Sequence, residues 1–98
     1  MTISEKDWKV FKKIKAKAVD QFCQSVLDET TLLCTQPDKT THERYLEVWG
    51  LIQKRNREMS QIFDGHSRSK AIVQLRMMRQ MGLVNDDELQ VFDAEYLE

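Results

Sequence analysis

Two cysteines and two histidines are the side chains in this sequence that could bind a metal or act as nucleophile and base. Cys23 and Cys34 are eleven residues apart, and His42 and His66 stand singly at two later points of the chain. Zinc sites need closely spaced pairs of ligands, such as Cys-x2-Cys or His-x3-His, and the sequence contains none. It also lacks a Gly-x-Ser-x-Gly motif and a glycine-rich phosphate loop. We therefore predict a non-catalytic protein without metal or cofactor.

The same cysteines bear on the cellular compartment. If both lie on one helix, about 16 Å of helical rise separates them, which is beyond the reach of a disulfide. Two reduced thiols are typical of a cytoplasmic protein. The start MTISEKDWKVF lacks the apolar core of a secretory signal, and no apolar run is long enough to span a membrane. We expect a cytoplasmic protein, and one of bacterial or phage origin on its small size and cysteine usage.

Turn-forming residues are rare, and this determines the expected fold. The 98 residues include three glycines and one proline, with 41% hydrophobic and 32% charged residues. Few turns imply few, long elements, which favours helices over a sheet. We predict one all-α domain over residues 1–98, namely a small bundle of three to four helices.

Two long helices are predicted to form an antiparallel hairpin. The first, over residues 5–33, begins after a capping Ser4 and carries an apolar stripe at helical spacing: Trp8, Phe11, Ile14, Ala18, Phe22 and Val26. The segment TQPDKTT breaks the helix. The second helix, over residues 41–64, begins with a capping box of Thr40 and Glu43. Its inward stripe is predicted to be Tyr45, Trp49, Ile52, Met59 and Phe63.

Two shorter helices are predicted over residues 68–81 and 86–93. Gly82 ends the third helix, and Asn85 with Glu88 caps the fourth, which carries Leu89 and Phe92. Helices of about 25 residues are roughly 38 Å long, so the two short helices leave part of the hairpin uncovered. A second copy of the chain could cover the rest, and we therefore expect a homodimer.

Several residues are candidates for a partner or dimer surface. Asn56 interrupts the apolar stripe of the second helix, where an amide either fixes the register of a helical pair or lies at the edge of the core. Gly50 marks either a close approach of another helix or a tolerated weakness. The third helix is rich in methionine, which suits adaptable binding. The candidate surface consists of Trp49, Asn56, Val73, Met77 and Met81.

The stretch DGHSRSKAIVQLRMMRQMGLV, residues 64–84, resembles the second half of a winged helix-turn-helix of the MarR type. The resemblance implies that the third helix contacts DNA bases and phosphates through Arg68, Ser69, Lys70 and Gln74, and Arg76 adds a further positive charge. A wing requires a β-hairpin after Gly82, whereas the acidic, helix-like segment NDDELQVF follows. Acidic residues beside the contact helix oppose binding to phosphate, and we do not expect nucleic acid as a partner.

The overlapping stretch LRMMRQMGLVNDDELQVF is similar to the short C-terminal domain found at the ends of many bacterial proteins. Such a helical corner, stopped by Gly82 and followed by a capped acidic turn, recurs without a common function. Neither similarity assigns the chain to a family. We predict a protein-binding, assembly or regulatory module. A small DNA-binding regulator that uses residues 64–84 is the alternative.

Charge is distributed unevenly along the chain, although the net charge is −1. Residues 6–17 contain six lysines and one acidic residue, Asp7, whereas residues 83–98 contain six acidic residues and no basic one. We expect the basic start and the acidic end to attract each other, within one chain or between two.

Overall fold

The described residues fold into four α-helices and contain no strand. A computed structural model describes residues 3–90 and Phe92, and places α1 at Glu5–Cys34, α2 at Thr41–Phe63, α3 at Arg68–Gln80 and α4 at Asp86–Leu89. The predicted all-α bundle, built on a long helical hairpin, is confirmed. The predicted fourth helix is helical as far as Leu89, and its positions 91 and 93 lie outside the described residues.

Side-chain caps mark the beginnings of α1, α2 and α4, as the sequence predicts. The Ser4 hydroxyl accepts a hydrogen bond of 3.1 Å from a backbone N–H in the first turn of α1. Thr40 and Glu43 form a complete capping box, in which each side chain accepts a hydrogen bond from the other's backbone N–H. Asn85 and Glu88 form the same arrangement at α4. These caps satisfy N–H groups that have no partner within the first helical turn.

Two glycines in the left-handed conformation follow α2 and α3. Gly65 has φ +86° and Gly82 has φ +73°. The Gly82 N–H donates to the Arg79 carbonyl at 3.1 Å, and the Leu83 N–H donates to the Met78 carbonyl at 2.9 Å. This pair of hydrogen bonds is the Schellman motif, and it confirms that Gly82 ends α3.

The core lies at one end of the hairpin, where α3 packs against both α1 and α2. Its buried apolar residues are Ile3, Phe11, Ile14, Ala18, Phe22, Ile62, Phe63, Ala71, Ile72, Leu75, Met78, Val84, Leu89 and Phe92. No residue in the range 23–61 is buried. We call residues 23–61 the tip of the hairpin, and the end that contains the core the base.

Polar side chains fix the turn between α2 and α3 to the base. The Lys15 ammonium of α1 donates to the Gly65 carbonyl at 2.8 Å. The amide of Gln74, buried in α3, donates to the carbonyls of Asp64 and Gly65, both at 2.9 Å. These bonds join the turn to α1 and to the middle of α3, so the turn is fixed relative to both helices.

The lengths of the helices explain why the tip has no core. With 30 residues α1 is about 45 Å long, whereas the 13 residues of α3 extend about 20 Å. The described chain measures 52 × 24 × 20 Å. Because α3 covers less than half of the hairpin, the tip is a layer of only two helices.

The orientation of α2 differs from the prediction. The sequence pattern predicts that Tyr45, Trp49 and Ile52 face inward, yet these side chains are 61%, 56% and 37% exposed. The stripe is buried only at its last residue, Phe63. The prediction is wrong for the tip because two arginines on the neighbouring side of α2 bond to α1 and turn that side inward.

Gly50 lies within α2 without a neighbour. No atom lies within 4 Å of the position that a Cβ would occupy. The interpretation that another helix approaches closely is therefore wrong within this chain, and Gly50 remains a weak point that costs about 1 kcal/mol relative to alanine.

The position of the core predicts different effects for two methionines of the same segment. Met78 is completely buried, so Met78→Ala should lower the free energy of unfolding by about 2–5 kcal/mol through lost contacts and a cavity. Met81 is 46% exposed, so Met81→Ala should change it by less than about 0.5 kcal/mol. Urea unfolding followed by circular dichroism measures both. Equal losses in the two variants would contradict this core.

Candidate protein-interaction face

Charged side chains of α2 hold it to α1 in the tip. The Arg55 guanidinium donates to Glu29 of α1 at 2.5 Å and to Glu58 of α2 at 2.6 Å. Arg44 donates to the carbonyl of Cys34, at the end of α1, at 2.8 Å. The hydrogen bonds to Glu58 and Glu29 raise the pKa of Arg55 above its ordinary value.

The contact between α1 and α2 in the tip is incompletely satisfied. Among the described residues, the buried atoms Arg44 Nε, Arg55 Nε and Glu47 Oε2 have no hydrogen-bond partner. A buried polar atom without a partner costs about 1–3 kcal/mol. The polar contact therefore stabilises the tip less than a packed apolar contact would.

An open groove runs along the outer side of α2 in the tip. Its volume is about 530 Å³, and its lining consists of Cys34, Thr41, Arg44, Tyr45, Val48, Trp49 and Ile52. Tyr45, Trp49 and Ile52 follow one another at spacings of four and three, which places them on one side of the helix. An aromatic and aliphatic surface is thus exposed where an amphipathic helix normally has its buried side.

A smaller groove continues this side of the hairpin toward the base. Its volume is about 200 Å³, and it is lined by Phe22, Cys23, Val26, Leu27, Arg55, Asn56 and Met59. Asn56 lies one helical turn beyond Ile52, so the two grooves adjoin. We call the surface formed along both grooves the tip face, and define it by Leu27, Cys34, Tyr45, Trp49, Ile52 and Asn56.

The five candidate residues for a partner surface lie in three different places. Trp49 and Asn56 belong to the tip face, and Asn56 is exposed. Met77 and Met81 line a separate groove of about 180 Å³ between α2 and α3. Val73 is exposed on α3. These residues therefore do not form one continuous surface.

The five candidate nucleic-acid contacts also differ in their positions. Gln74 is buried, and its amide is bonded to backbone carbonyls of the α2–α3 turn. Arg68 donates at 2.7 Å to a backbone carbonyl that precedes α1. Arg68 is nevertheless exposed, as are the remaining three candidates, Ser69, Lys70 and Arg76. In this fold α3 cannot present Gln74 to a DNA groove.

The groups with reactive or titratable side chains do not converge on a site. Among the described residues, no group of three His, Cys, Asp or Glu side chains could hold a metal ion. Cys23 and Cys34 are free thiols that line the two grooves of the tip face. The ring of His66 lies 4.9 Å from that of Trp8. Burial lowers the pKa of Lys15, whose ammonium bonds to the turn described above.

The sequence pattern did not reveal the polar side of α2. The residues on this side recur at spacings of three and four, and all but one are charged: Arg44, Glu47, Leu51, Arg55 and Glu58. Hydrophobic periodicity assigns such a stripe to solvent and the apolar stripe beside it to the interior. The opposite assignment depends on Glu29, whose position opposite Arg55 follows from the packing of α1 on α2 and not from either helix alone.

No protein-family model, curated protein or solved structure matches the chain. No helix in residues 3–90 is both long and apolar enough to cross a membrane. Because no comparison suggests a function, we infer one from the geometry of the tip face.

The positions of the candidate contacts on α3 lead to a prediction about DNA binding. Because Gln74 is buried and acidic residues follow Gly82, the chain should show no sequence preference for DNA at about 150 mM salt. Its lysines and arginines should give at most weak binding that disappears as salt rises, since such binding depends on counterion release. Gel-shift titrations and selection from random DNA measure this. Recovery of a defined palindromic site at moderate salt would contradict it.

Proposed function

We propose that this chain is a non-catalytic assembly module that binds a protein surface through its tip face. The single observation that supports this most strongly is the outward position of Tyr45, Trp49 and Ile52 on the part of the hairpin that α3 does not cover. Contiguous exposed apolar surface of this kind is typical of protein–protein contact sites. Aromatic residues are also enriched among those that dominate binding.

The tip face has the apolar area of a functional patch. More than half of Tyr45 and Trp49 is exposed, so each aromatic residue offers roughly 100 Å². With Ile52 and Leu27 the apolar area is about 400 Å². The largest apolar patch on a protein surface covers about 300–600 Å² and is often a functional site.

The apolar residues of the tip face lie outside the core. The core is complete at the base, and α2 contacts α1 in the tip through its charged side. Exposed aromatic side chains that contribute nothing to the core favour aggregation unless another surface covers them. A binding role accounts for these residues, whereas a purely structural role does not.

A double substitution in the tip face separates binding from folding. Tyr45→Ser combined with Trp49→Ser should leave the free energy of unfolding within about 1 kcal/mol of the original, because both side chains are mostly exposed. It should abolish the fluorescence enhancement of an apolar-surface dye such as ANS, measured at submicromolar protein. Urea unfolding and dye titration, both at submicromolar protein so that unfolding is not coupled to association, provide the two readouts.

Val73→Ser is the matched control for this experiment. Val73 is 57% exposed but lies on α3, so this variant should keep both the stability and the dye binding. A loss of several kcal/mol in the double variant would place Tyr45 and Trp49 in the core and refute the proposal. Unchanged dye binding in the double variant would refute it as well.

A further inference from the structure

The tip and the start of α1 differ in charge. The tip, residues 23–61, contains six acidic and five basic residues, so its net charge is −1. Residues 5–17 contain six lysines against Glu5 and Asp7. A surface that approaches the tip meets little net charge, whereas two lysine-rich segments brought together would repel each other.

The tip face has the dimensions of a dimer interface. From Thr41 to Met59 it extends about 27 Å along α2, and two packed helices are about 20 Å wide. The flat area is therefore roughly 500 Å², and the accessible area of its ridged surface is larger. A stable pair of proteins buries about 800 Å² on each side, so the tip can supply one side of such an interface.

The tip face contains both a projecting side chain and a groove. Trp49 is 56% exposed beside the groove of about 530 Å³ that it shares with Tyr45 and Ile52. A two-fold symmetric interface uses the same patch on both subunits, so that patch must be complementary to itself. A two-fold axis near Trp49 would let the Trp49 side chain of each copy enter the groove of the other.

We infer that the partner of the tip face is a second copy of this chain, and that the two copies pair antiparallel, tip upon tip. This inference rests on the proposed function and names its partner. In the antiparallel pair the tips, each with a net charge of only −1, overlap and the lysine-rich starts of α1 lie at opposite ends. In a parallel pair the same contact would bring the two rows of lysines side by side, which repulsion between like charges opposes.

Distances between spin labels on the two copies test this arrangement. Each label is attached to the keto group of p-acetylphenylalanine, introduced in place of Gln53 in the tip or of Lys13 in the first half of α1, so that Cys23 and Cys34 of the full chain stay unchanged. Both labelled positions are exposed. Circular dichroism and light scattering establish that each labelled chain keeps the fold and the association of the original.

The antiparallel pair predicts a short distance at Gln53 and a long one at Lys13. Glu29 lies opposite Arg55, hence near the level of Gln53, and Lys13 lies 16 residues, about 24 Å, further along α1. An axis at the level of Gln53 therefore places its labels within about 25 Å of each other and the Lys13 labels about 50 Å apart. Adding Tyr45→Ser and Trp49→Ser should abolish both distances.

Three results would overturn the inference. Short distances at both positions would show a parallel pair, and a short distance at Lys13 alone would show pairing through the base. The absence of any distance between copies at 100 micromolar protein would exclude a second copy as the partner. The dye experiment on the tip face is independent of all three, so failure of the inference is distinguishable from failure of the proposed function.

Discussion

The structure depends on one constraint of length: α3 is too short to cover the hairpin against which it packs. About 20 Å of helix lies against one of about 45 Å, and the core forms only where the three helices overlap. Within residues 3–90 and Phe92, every buried apolar residue lies in this overlap or in the segments that adjoin it. The base therefore accounts for the stability of the fold, and the tip is left as a two-helix layer with both of its broad sides open.

The ion pairs of Arg55 determine what the open layer presents. By bonding to Glu29 and Glu58, Arg55 keeps the charged side of α2 against α1 and leaves Tyr45 and Trp49 outside. A bare two-helix layer gains little from burying aromatic side chains between its helices, because their outer surfaces remain in water. More of their apolar area is removed from water when another protein covers the layer completely. This packing is consistent with the proposed assembly role.

Local signals in the sequence were sufficient for much of this fold. Capping residues such as Ser4 and Thr40, and the left-handed Gly82, act within a few residues of their own positions, and all were predicted. The stripe of α1 was predicted because α1 has one apolar side and α3 covers it. The orientation of α2 was not predicted, because α2 has an apolar stripe and a charged stripe next to each other. Which of the two faces α1 depends on Glu29, a residue of α1. The resemblance to a winged helix-turn-helix made Gln74 a candidate DNA contact in the alternative interpretation, whereas its partners are carbonyls of a turn whose path follows only from the fold.

The central claim is that the chain itself leaves the tip face uncovered and that a second copy covers it. Static light scattering over a dilution series from about 1 to 200 micromolar tests this directly on the unmodified chain. The account predicts that the mass rises from 11.6 kDa toward twice that value, and that Tyr45→Ser with Trp49→Ser holds it at the monomer mass throughout. A mass of 11.6 kDa for the unmodified chain over the whole range would contradict it, as would a dimer that persists in the double variant.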